Sequence, residues 1–374
     1  SMYNSVINKG MVKYHKDLDS IGISAVHRIY SFDNRTALEA LANVRYYMIR
    51  KEFTQNLPYG FSKYKDYSTE TNEYTIYKND YPLSIGYTYD KYIDNEEYEK
   101  LSAIEKQQVM LEEAVLDIKN VKSLAKGDTK SVSDKIKYGT VTVKSKDGVV
   151  VKTDRIRSKK EESTLTLSYE KKKGYEAYLM LDGVTTKKPR IKAKISTDNM
   201  EKNIVIRNND LTYALGRDSY LINLGYSDTS ESEDVTFTIP IEAKINYSDV
   251  KVCYVPMDDY VSQIAERNEE SLQNVLTDKN NEVSGEVTLS SDKVMVFSIP
   301  YSSGWKAYVD GKETSVFRAN TMYMGINLTK GSHKVVLRYN SPGLHLGMMA
   351  SAAGIIIWIL LAVASKKKKQ KGNQ

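Results

Sequence analysis

From about residue 163, apolar and polar residues alternate in short runs. TLTLSY (164–169), YEAYLML (175–181), RIKAKIS (190–196), NIVIRN (203–208), YLINLGY (220–226), DVTFTIP (234–240) and VKVCYVP (250–256) follow one another between turn residues. A period of two puts one face of a strand on a core and the other in water. The pattern predicts an antiparallel β-sandwich over 163–341. Helical periodicity interrupts it once, at MDDYVSQIAERNEESLQNVL (257–276). Strands then resume with SGEVTLS (284–290), KVMVFSIP (293–300), WKAYV (305–309), ETSVF (313–317), MYMGINL (322–328) and HKVVLRY (333–339). Asp310-Gly311 supplies the left-handed residues of a tight primed turn, and Lys330-Gly331 predicts a second turn.

The first 117 residues read as a mixed α/β segment. NRTALEALAN (34–43) predicts a short helix with Asn34 as its cap, and VRYYMIRK (44–51) a strand. YKDYS (64–68) and EYTIYKN (73–79) predict a hairpin, and LSIGYTYD (83–90) a further strand started or edged by Pro82. Residues 94–117 predict one helix. Asp94 or Asn95 caps it, and Tyr98, Leu101, Ile104, Val109, Leu111 and Val115 form its apolar face. Residues 118–162 are rich in lysine and carry the turn signals KGD and KDG, which predicts a linker with weak strands. The fold class expected is α+β.

The alternation ends at SPG (341–343). Leu344 to Ala364 is then 21 residues without a formal charge. A helix of that length reaches about 30 Å, the depth of a bilayer's hydrocarbon core. This segment, 342–364, predicts a transmembrane helix and makes the lipid bilayer a partner. The tail that follows, SKKKKQKGNQ (365–374), holds five lysines. Lysines directly after a span favour a cytoplasmic C-terminus, which leaves the bulk of the chain extracytoplasmic. They also explain the charge. The chain carries 54 basic and 48 acidic residues, net +6, so the tail accounts for nearly all of the excess. The remainder is close to neutral, and the basic balance gives no argument for nucleic acid.

An outside domain needs export, yet SMYNSVINKGMVKYHKDLDS (1–20) has no apolar core of a signal peptide. The expectation is a C-terminal piece of a longer protein whose upstream transmembrane helices are partners of this one. Gly343, Gly347 and Ser351, with Ala350 and Gly354, place small residues on a face where another helix can pack closely.

Candidate chemistry is sparse. One cysteine, Cys253, excludes an internal disulfide framework, and four scattered histidines give no metal-ligand spacing. No phosphate-binding glycine motif and no GxSxG occurs. Paired acids such as Asp258-Asp259 and Glu112-Glu113 lie in predicted helices, where neighbours diverge by about 100°. No catalytic residue, cofactor site or metal site is assigned. Three residues are candidates for substrate binding. Trp305 can stack on a sugar or anchor the sandwich. Arg35 and Arg318, near predicted element boundaries, can recognise phosphate or carboxylate or make structural hydrogen bonds.

The run PYSSGWKAYVDGKETSVFRANTMYMGINLTKGSHKVVLRYNSPGLHLG (300–347) resembles the C-terminal end of the bacterial YfhO family. It carries Gly304-Trp305, Val309–Lys312, Arg318–Asn320, Gly331–Tyr339 and a final span with a basic tail. YNSVIN (3–8), NRTALEALANVRYYMIRK (34–51), PYGF (58–61), YKNDYPLSIGYTYDKY (77–92) and EYEKLSAIEKQQ (97–108) are similar too. The resemblance implies a bacterial cell-membrane protein of many spans that looks like a GT-C-type glycosyltransferase. Such a protein moves a sugar from a polyprenyl-phosphate donor to a cell-envelope glycopolymer such as lipoteichoic acid. Its catalytic carboxylate lies in an outer loop between the first spans, which this sequence lacks, so the sandwich is expected to position the acceptor. The alternative is a membrane-anchored, non-catalytic glycan-binding or structural module.

Overall fold

The computed structural model of the chain describes residues 2–3, 8–53, 56–211, 214–277, 279 and 281–371. Residues 4–7 of the YNSVIN stretch and the lysine side chains of the tail lie outside the described residues. The chain is α+β, as its patterning predicts, with strands in several sheets.

The strands do not form one sandwich. A five-stranded antiparallel sheet runs Thr142–Asp147, Ser163–Glu170, Ser232–Ile239, Arg190–Thr197, Met200–Arg207. It covers a four-stranded sheet ordered Lys137–Thr140, Asp249–Pro256, Tyr175–Asp182, Tyr220–Ser227. Leu165, Leu167 and Phe237 of the first meet Leu179, Ile222 and Val252 of the second in a shared core. Each such fully buried side chain contributes roughly 2 kcal/mol, so this core does not depend on a disulfide.

A second sandwich takes its strands from both sides of the first in the chain, from residues 86–126 and 273–339. Its seven-stranded sheet runs Ala125–Lys126, Lys91–Asp94, Ala114–Leu116, Phe317–Ala319, Tyr323–Leu328, Lys293–Pro300, Gly86–Tyr89. Its five-stranded sheet runs Gln273–Leu276, Glu282–Leu289, Gly331–Tyr339, Trp305–Val309, Lys312–Thr314. Met295, Phe297, Met324 and Ile326 of one pack on Val287, Ala307, Val335 and Leu337 of the other.

Helices fill the space between the sandwiches. They are α1 (Lys9–Asp17), α2 (Thr36–Leu41), α3 (Asn95–Lys100), α4 (Ala103–Glu112), α5 (Thr129–Lys135) and α6 (Tyr260–Glu269). Tyr14, Leu38, Leu41, Ile104 and Ile264 from this layer pack on Tyr178, Leu221 and Cys253 of the four-stranded sheet and on Val294, Val296 and Tyr323 of the seven-stranded sheet. Both central sheets are therefore covered on two faces. That is why YLINLGY is almost continuously apolar and buried, whereas TLTLSY alternates strictly.

Several sequence expectations need correction. Asn34 does not cap α2. Asp33 and Asn34 are both left-handed (φ 61° and 55°), and Arg35 takes the cap position. The single helix expected over 94–117 is two. Leu101 is extended, and Ser102 starts α4 with a reciprocal capping box to Glu105. Glu113 is extended too, because Ala114–Leu116 is wholly buried as a strand parallel to Lys91–Asp94. The helix expected over 257–276 is the shorter α6, and Gln273–Leu276 pairs with Glu282–Leu289. Asp310 and Gly311 do form the tight left-handed turn. Lys330-Gly331 instead sits where the chain crosses from one sheet of the second sandwich to the other. The weak strands expected within 118–162 are present. Lys137–Thr140 and Thr142–Asp147 take edge positions in the two sheets of the first sandwich.

A small three-stranded sheet, Tyr46–Arg50, Glu73–Asn79, Phe61–Ser68, exposes Tyr46, Met48, Tyr64 and Tyr67. At the other end, the last strand of the second sandwich leads through Pro342 into α7 (Leu344–Lys371). Residues Leu344–Ala364 of α7 have a mean hydropathy of 2.3, and no neighbour buries them. This helix is long and apolar enough to cross a membrane.

Candidate functional site

The four residues Asp33-Asn34-Arg35-Thr36 fasten the helical layer to the first sandwich. Asp33 makes a buried ion pair with Lys202 at 2.9 Å and accepts the backbone N–H of Asn223 at 2.9 Å. The Asn34 carbonyl accepts from the Asn223 side chain at 2.6 Å, and its own amide donates to the Asn56 carbonyl at 2.6 Å. Thr36 donates to Glu176 at 2.7 Å and receives the Tyr59 N–H at 2.8 Å. Glu176 also accepts from Tyr178 and, at 3.0 Å, from Asn223; burial raises its pKa. These donors satisfy a carboxyl group that has left water.

Arg35 is fully buried within this network. Its guanidinium donates to the Leu18 carbonyl at 2.6 Å and to Gln107 at 2.7 Å, and lies over the Tyr178 ring. Gln107 passes the chain on to Tyr178 at 2.9 Å. Next to it, Glu39 accepts from Tyr47, and burial pushes its pKa up to about 7.

The loop that receives these bonds, residues 56–61, forms one wall of a cleft of about 620 Å³. Tyr59, Phe61 and Phe53 stand on that side, and Tyr175, Tyr226 and Tyr169 on the sandwich side. Tyr59 and Tyr226 meet across it with ring centroids 4.7 Å apart. Gly225, left-handed at φ 103°, lies beneath the Asn56 side chain at a bulge opposite Ala177-Tyr178. Both polar atoms of the Asn56 side chain are buried and have no protein partner. These two atoms are sealed from the cleft's open space, so the surface offered to a ligand is mainly aromatic. Glu233 is the one acid lining it among the described residues, and it accepts from Tyr169 at 2.6 Å. Lys171 and Lys172 stand at its edge. Aromatic faces and a held carboxylate suit the binding of a polyhydroxylated ligand. Among the described residues no second carboxylate lines the cleft to complete an acid–base pair.

The other two sequence candidates lie elsewhere. Arg318 is exposed on the seven-stranded sheet, over the Tyr301 ring at 5.0 Å, and donates to the Thr321 carbonyl at 3.2 Å. Trp305 is half-buried in the outer sheet of the second sandwich, 5.2 Å from the Tyr339 ring. Arg35, Arg318 and Trp305 thus occupy three separate layers.

The sequence profile described as "Bacterial membrane protein YfhO" matches residues 1–351. The chain belongs to the YfhO family of bacterial membrane proteins. The Bacillus subtilis (strain 168) protein described as "Uncharacterized protein YfhO" is 25% identical over 395 residues. That alignment takes in 100% of this chain and 41% of the relative, so the chain spans well under half of the relative's length. Among solved structures, a xylan-binding module CBM86 from Roseburia intestinalis aligns with 32% of this chain and 95% of its own, at 17% identity and a TM-score of 0.21. The arabinofuranosyltransferase AftD from Mycobacteria aligns with 46% of this chain and 14% of its own, at 15% identity and a TM-score of 0.20. Alignments of that quality carry no functional weight.

The cleft of this YfhO-family chain is invisible to motif reasoning. Its residues come from positions 53–61, 169–177, 199 and 224–233, and none has a diagnostic spacing. The abundance of tyrosine, 29 residues, is compatible with stacking surfaces but equally with half-buried strands, and it marks none of these positions. PYGF (58–61), part of the family resemblance, is the segment that builds the wall.

Proposed function

We propose that this chain is the extracytoplasmic C-terminal portion of a glycosyltransferase-like membrane protein, and that its tyrosine-walled cleft holds the acceptor glycan. The observation that carries the reading is the cleft itself, walled by Tyr59, Tyr169, Tyr175 and Tyr226. In the full-length protein, spans outside this chain would bind a polyprenyl-phosphate sugar donor. An outer-loop carboxylate there would take the proton of an acceptor hydroxyl. The part played by this chain is to bind and orient a cell-envelope polymer such as lipoteichoic acid. Orientation contributes to rate because it removes the entropic cost of bringing two reactants together. In this reading α7 runs from the outer surface to the cytoplasm, with the lysine tail inside.

The test substitutes Tyr59→Ala and Tyr226→Ala together in the full-length protein, in cells whose envelope polymer is then analysed for sugar content. Sugar content should fall by about tenfold, equivalent to about 1.4 kcal/mol of lost acceptor binding, with protein level and protease resistance unchanged. Unchanged sugar content rejects the cleft as an acceptor site. A second reading, an anchored glycan-binding module without catalysis, is favoured by the single carboxylate lining the cleft. The two separate on one result: the module binds glycan while its loss leaves polymer glycosylation intact.

A further inference from the structure

The small sheet Tyr46–Arg50, Glu73–Asn79, Phe61–Ser68 has two unlike faces. On the inward face, Tyr47 packs edge-on against Phe61 at 5.1 Å and donates to the buried Glu39. The strand register gives the outward face. Met48, Ile76 and Lys65 share one cross-strand row, and Arg50, Tyr74 and Tyr67 the next. Tyr46 lies opposite Lys78 in a third. A bulge adds Tyr64 to this face, where its ring sits 5.9 Å from that of Tyr46. Tyr46, Met48, Tyr64 and Tyr67 are each about half exposed. A contiguous apolar patch of this kind on a folded chain marks a contact surface.

The face is aromatic and cationic together, and no acid stands in its rows. Arg50 pairs with Glu52 at 3.2 Å. Among the described residues, Lys65 and Lys78 have no carboxylate in ion-pair range, and Lys65 lies over the Tyr64 ring at 5.5 Å. The place of the sheet matters as much. Ser298, near the end of Lys293–Pro300, donates its N–H to the Ile85 carbonyl at 2.9 Å and its hydroxyl to the Leu41 carbonyl at 2.8 Å. Leu41 leads into the sheet at Tyr46, and Asn79 leads out of it to Ile85, so both roots of the sheet sit at that strand end. Residues 301–304 join the same end to Trp305, which pairs with Tyr339 just before α7. The sheet and α7 therefore leave the second sandwich at one end.

We propose that this face lies flat on the bilayer that α7 crosses, with its tyrosines among the headgroups of anionic phospholipids. A tyrosine ring has an apolar body and a polar tip, which suits the boundary between lipid and water. The unpaired lysines supply the charge that anionic headgroups attract. The outer strands, Tyr46–Arg50 and Phe61–Ser68, each keep a free edge whose N–H and C=O groups need water, so the sheet stays at the boundary and does not enter the hydrocarbon. Because α7 already holds the sheet beside the membrane, a weak contact suffices. Two points of attachment fix the tilt of the sandwiches over the bilayer. The proposal does not depend on sugar transfer, although the loop 56–61 that walls the tyrosine cleft enters this sheet at Phe61 and is held with it.

The experiment uses the full chain in nanodiscs of mixed phosphatidylglycerol and phosphatidylcholine, with a nitroxide attached at Met48→Cys; Cys253 is buried and stays unlabelled. Electron paramagnetic resonance compares relaxation by oxygen, which concentrates in lipid, with relaxation by a water-soluble nickel chelate. A nitroxide at Lys330→Cys, at the far end of the second sandwich, is the aqueous reference. The Met48 label should relax chiefly with oxygen and the Lys330 label chiefly with nickel. Lys65→Gln with Lys78→Gln should lower the ratio of lipid-bound to free label at Met48 by about fivefold for each charge removed, and nanodiscs of phosphatidylcholine alone should lower it too. Nickel-dominated relaxation at Met48 in the mixed nanodiscs overturns the proposal, as does a ratio indifferent to both lipid charge and the lysine substitutions. Shielding of the Met48 label from both reagents overturns it in favour of a protein partner. Shielding from nickel that appears only when a soluble gluco-oligosaccharide is added overturns it in favour of a sugar-binding face.

Discussion

Glu39 offers a stability test with a defined sign. Its carboxyl is buried beside Asp33 and Glu176, and desolvation above all lifts its pKa from 4.5 to about 7. Between those two values the folded chain holds a proton that the unfolded chain has released. Folding stability therefore falls as pH rises through this window, and the penalty is complete above the folded pKa. That rise corresponds to about 3 kcal/mol. Glu39→Gln removes the titration and keeps an acceptor for the Tyr47 hydroxyl. A neutral hydrogen bond replaces a charge-assisted one at a cost of about 1 kcal/mol. The net expectation is a gain of about 2 kcal/mol at pH 8 and little change or a small loss at pH 4.5. Urea unfolding of the full chain in detergent, followed by far-ultraviolet circular dichroism at both pH values, measures the difference. A variant that is less stable than the parent at pH 8, or that keeps the parent's pH slope, refutes the reasoning.

Three further outcomes follow from the geometry. Arg35→Met should destabilise the chain by about 3 kcal/mol, since it strands Gln107 and the Leu18 carbonyl in the helical layer; thermal unfolding reads it, and an unchanged midpoint would exclude the structural role. Gly225→Ala should cost about 1–3 kcal/mol of backbone strain at φ 103°, while the added methyl meets the Asn56 amide at 3.4 Å, an ordinary van der Waals contact; calorimetry measures the cost. His333 donates from Nδ1 to the Asp310 carboxylate at 2.8 Å, and its pKa is raised chiefly by that bond. Its contribution is present below the unfolded histidine pKa and is lost as pH rises through the folded one, so NMR titration of His333 in Asp310→Asn should shift its pKa down.

Local physics made much of the chain legible. Period-two alternation marked the strands because one face of each meets a core. The Asp310-Gly311 turn was legible because few residues adopt left-handed backbone. The span stood out because a bilayer admits little besides a long apolar helix. Where the reading slipped, a distant neighbour decided. Residues 113–117 continue a helical pattern, but Ala114–Leu116 form a strand because Lys91–Asp94 and Phe317–Ala319 offer them ladders. The division of one predicted sandwich into two follows from helices that arrive from residues 9–112, 129–135 and 260–269.

The sequence by itself determined the alternation, the turns, the single cysteine, the near-neutral body and the apolar helix that ends it. Each depends on a residue and its immediate neighbours. The tertiary structure alone decided that Arg35 is sealed in a hydrogen-bond network, that tyrosines from three separate stretches of the chain line one cleft, and that cations from three strands and two loops share one groove. Those features are made by contacts between positions tens to hundreds of residues apart. Spacing along a chain carries no record of which distant residue will lie opposite.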